Sequence, residues 1–360
     1  MVAGNNNSQN DKVQLEERGF CAALYENGET RRKESNKVRD FCPLIKEATV
    51  AWIDYVVNDF EKESFEVAEA LGFTKQLVNN IIKCSRSGYE DFENEIAILL
   101  PAIRVSGFDV DIDPLFIFIR QNMILTLHTK EMRRFFRIRR YAETLLRKLP
   151  QGLLQNDKIT LFLIRIIDEN NARNFDHLRE IEEQGDKMSE DLANPKTPRD
   201  ILGPKIHQMK HALITYLGGL WATVDALNSI RYGDPDLLTD DSKILDRLSG
   251  LVGELHSQIG LAEHMSEVLA SGLEVLQSIY NNQLQILNNR LALLAGYLAI
   301  FGTALLVPNT IATVLGNTMF NLTAKDVYWY IPLIVISTLV ATIFAWWAVN
   351  KMKLLPRRPE

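Results

Sequence analysis

Two long charge-free apolar runs near the C-terminal end constrain this chain more than any other feature. Residues 291–324 are 34 consecutive positions without Asp, Glu, Lys or Arg, and residues 327–350 are another 24, separated only by Lys325 and Asp326. A helix needs roughly 20 apolar residues to cross the hydrocarbon of a bilayer, where its backbone must be hydrogen-bonded internally. Each run is long enough for one span. Apolar side chains make up 46% of the 360 residues, an ordinary soluble average that hides this segregation. A purely soluble enzyme is excluded.

The formal net charge of −6 speaks against a nucleic-acid protein, which needs a basic face for phosphate contacts. Cys21, Cys42 and Cys84 are odd in number and widely spaced, with no CxxC. They form neither a disulfide framework nor a metal cluster, so the large N-terminal part is expected in a reducing compartment. The polar start, with Asn5, Asn6, Asn7 and Ser8, lacks a basic-then-apolar signal, and residues 1–290 are expected in the cytosol. Arg290 precedes the first run, and Lys351, Lys353, Arg357 and Arg358 follow the second. The positive-inside rule then puts both termini in the cytoplasm and the short loop outside a cell membrane crossed twice. Tyr328, Trp329 and Tyr330 at one end of the second run, with Trp346 and Trp347 at the other, fit two interfacial aromatic belts.

The fold class expected is an α+β cytosolic domain in α/β/α layers, then a long helical stalk and two transmembrane helices, in a homo-oligomer. Residues 1–35 read as a flexible polar tail and 36–150 as the α/β domain, with strands near 48–55, 96–105, 115–119 and 123–128 and helices near 60–71 and 73–83. Residues 151–290 read as long helices (159–188, 198–231 and 242–290) and stalk. Residues 291–315 are the first span, 316–326 the external loop, 327–349 the second span and 350–360 a basic cytosolic tail. Only weak glycines interrupt 242–306, which predicts one helix passing from stalk into membrane. A helix of that length needs partners.

Within the first run the polar and small residues are ordered. Asn282, Asn289, Gly296, Thr303, Thr310 and Asn317 recur every seven positions, with Thr313 one turn beyond Thr310. Seven residues are nearly two turns, so these positions share a face that drifts about 20° per heptad. Small and hydroxylated stripes mediate close helix packing in membranes. They also suit a water-filled path ringed by neighbouring subunits, and the asparagines near the ends favour this, since a lipid-facing amide is costly. Mg2+ sheds its water reluctantly, and neutral amide and hydroxyl rings can bond that water shell without trapping the ion. No carboxylate lies in either run, which disfavours a proton-coupled carrier.

From residue 45 onward the chain resembles the CorA family of divalent-cation channels. Trp52-Ile53-Asp54 resembles that family's early strand. Phe92-Glu93-Asn94, Leu115-Phe116-Ile117-Phe118 and Leu125-Thr126-Leu127-His128 resemble its later strands. Ile206-His207-Gln208-Met209-Lys210 followed by Trp221 resembles its first long helix. Ser271-Gly272-Leu273 marks the stalk, and Pro308, Thr310 and Gly316 mark the end of the first span. The resemblance implies a homopentamer whose first spans line a pore for Mg2+, with Co2+ or Ni2+ also accepted. It makes Thr310 and Asn317 pore-lining candidates, with Asn317 holding the hydrated ion through its water, and the stripe adds Gly316, Thr313, Thr303 and Asn289 to the candidate lining.

Two departures qualify this. The family signature is Gly-Met-Asn, whereas here Gly316-Asn317-Thr318 lacks the Met and brings the Asn one place early. The family's acids that bind the ion between subunits are replaced in the matching stretches by Asn79, Asn80 and Leu251, with only Glu254 keeping a carboxylate. Altered or weakened Mg2+ sensing is the expectation. The stretch from Ser271 to Pro308 is also about two turns longer than usual, consistent with an inserted heptad that leaves the face unrotated.

Other constellations read blandly. His207 and His211 lie four apart, but Gln208 follows His207, so the HExxH general base is absent; this pair, like His256 and His264, is expected to be structural or solvent-facing. The basic run 130–148, with Arg133, Arg134, Arg137, Arg139 and Arg140, is expected to be a solvated helix face. Asp234, Asp236, Asp240 and Asp241 cluster at a turn, either merely solvated, or facing the basic tail or concentrating cations there. The sequon Asn321-Leu322-Thr323 lies too near the membrane to carry a glycan. With no phosphate loop and no nucleophile motif, the chain is expected to be no enzyme and to hold no cofactor besides the transported ion. Its expected partners are itself, the bilayer and divalent cations. A zinc, cobalt or nickel transporter of the same fold and a non-conducting scaffold remain the rival readings.

Overall fold

The structure, a computed structural model, describes residues 18–193, 199–233, 235–317, 323 and 325–351. The chain divides into two units, one up to Ala270 and one from Ser271.

The first unit is built on a seven-stranded mixed sheet. Its strands are β1 (Gly19–Leu24), β2 (Thr30–Ser35), β3 (Val50–Val56), β4 (Gly88–Phe92), β5 (Glu95–Ser106), β6 (Asp109–Arg120) and β7 (Met123–His128). They lie in the order β2-β1-β3-β7-β6-β5-β4, and every neighbouring pair is antiparallel except β3 with β7. The two-residue period of strands sorts their side chains into two buried faces. Ala51, Ile53 and Tyr55 of β3 join Phe116 and Phe118 of β6 and Leu125 and Leu127 of β7 in one core. Three helices cover that core: α1 (Cys42–Lys46), α2 (Phe60–Ala70) and α3 (Lys75–Ile82). Asp59 caps α2, its carboxylate accepting from the Glu61 amide at 3.0 Å, and Thr74 caps α3.

Trp52 points to the other face, between the rings of Phe20 and Phe162, each at 5.7 Å. Helices α4 (Arg133–Arg147), α5 (Gln155–Asn171), α6 (Asn174–Ala193) and α7 (Arg199–Tyr232) pack on this side. The result is the α/β/α layering expected, with a sheet buried on both faces. Gly219 lets α7 approach β5 closely, since a Cβ there would stand 2.9 Å from the Ile103 side chain. Tyr216 on α7 donates to the Asn174 carbonyl at 2.6 Å, which ties α7 to α6. The hairpins close tightly. Gly107, at φ +64°, opens the two-residue turn between β5 and β6, and Gln121 takes φ +47° between β6 and β7.

Several expectations are corrected. Residues 19–35 are not a tail: β1 is buried throughout, while β2 is an exposed, charged edge strand. Its Arg31, Arg32 and Lys33 keep an edge from pairing with other chains. Strand β6 starts six residues before Leu115, because its polar first half pairs with β5 as a hairpin arm. Residue 150 is no boundary, since α5, α6 and α7 bury the second face of the sheet. The helix expected over 159–188 is two helices, broken at Ala172 and Arg173.

Helix α8 (Ser242–Leu315) is a single helix belonging to both units. Up to Ala270 its buried residues Ile244, Leu248, Leu251, Leu255, Ile259, Ala262, Met265 and Leu269 form one stripe at helical spacing. Trp221 of α7 meets His256 of α8 edge to face at 5.7 Å. The second unit holds the rest of α8 and α9 (Val327–Lys351). Its apolar side chains, Leu298, Phe301, Leu305 and Leu306 among them, stand exposed. Both helices are long and apolar enough to cross a membrane.

Candidate functional site

The candidate site lies on the C-terminal part of α8, from Asn289 onward. There the backbone satisfies itself except opposite Pro308, so what the helix offers a neighbour is set mainly by its side chains. Thr303 and Thr310 donate their hydroxyl protons to the carbonyls of Ala299 and Leu306, each at 2.8 Å. Thr313 does the same to Asn309 at 2.7 Å. A hydroxyl has one proton and two lone pairs. With the proton held inward by the helix, lone pairs remain on the outer side, and each threonine presents an acceptor. Acceptors are what the outward-pointing water protons of a hydrated cation require. Pro308 adds to this: it has no N–H, so the Ala304 carbonyl loses its helical donor.

The helix closes at Gly316, whose N–H reaches the Ala312 carbonyl at 2.9 Å, and Asn317 follows, donating its N–H to Val314 at 3.3 Å. A Cβ at Gly316 would stand 2.9 Å from the same Ala312 carbonyl, so a small residue fits this turn. Asn289 on α8 and Asn317 just beyond its end are both exposed. Thr318, Asn321 and Leu322, and with them the sequon, lie outside the described residues. The loop's carboxylate, Asp326, accepts from the amide and hydroxyl of Thr323 at 2.8 and 2.7 Å and from the Trp329 indole at 3.2 Å. It thereby fastens the start of α9.

The other sequence candidates have structural work. Asp234 lies outside the described residues. Asp241 accepts from the Lys243 amide at 2.8 Å and caps α8, while the Asp236 carbonyl takes the Asn156 side-chain amide at 2.8 Å and Asp240 is exposed. Of the basic tail, only Lys351 is described; its ammonium lies 4.5 Å from the Trp347 ring. Among the described residues, no three His, Cys, Asp or Glu side chains converge as a metal site. His207 and His211 are exposed, with His211 bonded to Thr215 at 3.1 Å.

The positions that the resemblance sets against the family's interfacial acids are also placed. Asn80 donates to Glu90 at 3.1 Å, Asn79 and Glu254 are exposed, and Leu251 is buried in the α8 stripe. A leucine there is a packing residue.

The basic run on α4 is corrected, because two of its arginines point inward. Arg139 is buried against Asp54 on β3, and Arg134 bonds backbone carbonyls of β5 and α5. The Asp54 carboxylate, fully buried, accepts from Arg139 Nε at 2.7 Å and Thr126 Oγ1 at 2.5 Å and lies 3.1 Å from His128 Nε2. The Trp52 indole in turn donates to Thr126 at 3.2 Å. Burial would raise this carboxyl, but the charges of His128 and Arg139 and the hydrogen bonds to it prevail and hold it well below the usual range. The network was missed in the sequence because its members lie 72 to 85 positions apart; the inward spacing of Arg139 beside Phe135 and Ala142 was its only signal.

The CorA-like Mg2+ transporter protein family matches residues 47–351. Among solved structures, the chain is similar to the CorA magnesium transporter from Methanocaldococcus jannaschii, with a TM-score of 0.68 at 16% identity over 92% of this chain and 97% of that one. Full-length CmaX gives a TM-score of 0.66 at 13% identity, covering 94% and 99%. The ZntB cytoplasmic domain from Vibrio parahaemolyticus gives 0.54 at 12% identity, covering 74% and 99%. Comparison with curated proteins by sequence gives no significant match. The family match runs from β3 through α8 to the end of α9, and on it the chain is a membrane protein belonging to the CorA-like Mg2+ transporter family.

Proposed function

We propose that this protein passes hydrated Mg2+ passively across the cell membrane through a pore of five subunits, lined by the C-terminal part of α8. The observation that carries the reading is the threonine stripe. Thr303, Thr310 and Thr313 turn acceptor oxygens outward from the charge-free part of α8, residues 291–315, so a ring of such segments offers the ion's water shell hydrogen bonds without a fixed counter-charge. Asn317 at the outer end takes the part of the selectivity ring, and the N-terminal domain and both termini lie in the cytoplasm. Transport is driven by potential and concentration, and no catalysis is involved.

A second reading has its own support. The Gly-Met-Asn signature is absent, and the N-terminal domain is similar to that of ZntB, so Zn2+, Co2+ or Ni2+ is the alternative cargo. Ion uptake into liposomes carrying the purified protein, with Mg2+, Co2+, Ni2+ and Zn2+ offered separately, decides between them. Mg2+ uptake that Asn317→Ala abolishes supports the first reading, and uptake of zinc or cobalt alone supports the second. No uptake of any ion by a folded oligomer leaves a non-conducting scaffold.

A further inference from the structure

The first unit contains a cavity that ion passage does not use. It encloses about 370 Å³ between the tip of the β5–β6 hairpin, the start of α4 and the junction of α5 with α6. The hairpin turn is tied to α6 by the Gly107 amide, which donates to Glu180 at 2.7 Å. Four arginines line the cavity. Two are neutralised: Arg104 by Asp113 and Asp111, at 2.5 and 3.3 Å, and Arg137 by Glu169. Arg134 and Arg173 are not. Arg134 donates to the Ile103 carbonyl at 2.6 Å and to Asn170, all neutral acceptors, and neither arginine forms an ion pair among the described residues. Both guanidiniums line the cavity with no carboxylate bonded to them among the described residues, while Asp113 and Glu169 offset part of their repulsion from nearby.

His177 supplies an independent sign. Its side chain lines the same cavity at 6% exposure, and its Nδ1 is buried with no hydrogen-bond partner among the described residues. A polar atom taken out of water and left unmet is costly and rare in folded proteins. Burial and the charges of Arg134 and Arg173 push this imidazole down to about 4, so the ring is neutral and can donate or accept. The other lining carboxylates, Asp109 and Glu131, make the cavity unsuited to an extended polyanion such as RNA or a lipid surface. A small solute with one compact, doubly charged group fits. Guanidinium forks match the oxygens of a phosphate.

We propose that this cavity binds a small phosphate-bearing solute, gripped by Arg134 and Arg173 and hydrogen-bonded by His177. The test uses the full-length protein in detergent, titrated with inorganic phosphate or ribose 5-phosphate, with sodium chloride at matched ionic strength as control. Both thermal unfolding and calorimetry are read. A saturable rise in Tm is expected with at least one probe, and the tighter probe tells free phosphate from an organic phosphate. Arg173 is exposed, so Arg173→Gln should fold; it should weaken binding roughly tenfold, as loss of a charged hydrogen bond does. Arg31→Gln, on the exposed edge strand, should leave binding unchanged. A response no greater than that to chloride, or an affinity the same in Arg173→Gln, overturns the assignment.

Discussion

Arg139 on α4 holds its Nε 2.7 Å from the carboxylate of Asp54 in the middle of β3, with both side chains withdrawn from solvent. A helix and a central strand are thus joined by a charged hydrogen bond inside the second core. Such a pair is weak grounds for net stability, since desolvation offsets its attraction, but breaking it from one side is expensive. Asp54→Asn keeps the shape and strands the arginine. Full-length protein carrying it should lose about 3–5 kcal/mol of unfolding free energy. Asp54→Asn combined with Arg139→Met should lose less than the sum of the two changes. Additive losses in chemical unfolding would show that the pair is uncoupled.

Acid sensitivity should come in two stages. His177, lowered from 6.5 to about 4, stays neutral in the folded chain while the unfolded chain takes up its proton. Stability therefore falls as pH drops from 6.5 towards 4. Asp54 is depressed, so its contribution is complete above the ordinary carboxylate range and is lost only as pH falls towards its folded value. In phosphate-free buffer, His177→Asn should flatten the Tm profile between pH 6.5 and 4 and leave the steeper loss below it. An unchanged upper window would show that His177 does not set it.

On the pore side, Thr310→Val is the sharpest change, because valine keeps the shape and removes the oxygen that the helix turns outward. Uptake of the transported ion should fall at least severalfold, since the change recurs in every subunit and each lost hydrogen bond is worth about 1 kcal/mol. Thr310→Ser should retain most of it. Equal uptake in all three proteins would mean that the stripe packs against protein or lipid rather than lining the path.

Asn317 admits a test by charge. Asn317→Ala removes the amide, while Asn317→Asp installs a carboxylate ring at nearly the same size. The aspartate form should bind the cation more tightly yet carry a lower maximal flux, because a held ion leaves slowly. Concentration-dependent uptake separates the two quantities. An aspartate variant with unchanged half-saturation would remove Asn317 from the ion's path.

The layered domain was readable in large part because β3, β5 and β7 are apolar enough to stand out as strands, and α2 and α3 carry their own capping residues, Asp59 and Thr74. Strand β1 escaped notice because its Gly-Phe-Cys-Ala-Ala-Leu is short and small-sided, and its partner β2 carries four charged residues, as an exposed edge strand does. The break between α5 and α6 was hidden by Ala172 and Arg173, which fit a helix as well as a turn. The threonine stripe was legible by its heptad spacing alone. That its hydroxyl protons are turned inward was not, since a spacing does not say where a proton goes.

What the sequence by itself determined is the chain's division of solvent. Runs of 34 and 24 uncharged residues suit hydrocarbon, a mixed and charged remainder suits water, and transfer free energy acts locally, so it can be read residue by residue. What only the tertiary structure decided is which charges meet. Asp54 finds Arg139 and His128 through a parallel strand pairing and a helix packed across it, and Arg134, Arg173 and His177 converge because a hairpin, a helix start and a helix junction meet at one cavity. Coulomb and hydrogen-bond energies depend on distance in space, and distances across a sheet carry no mark in the order of residues along the chain.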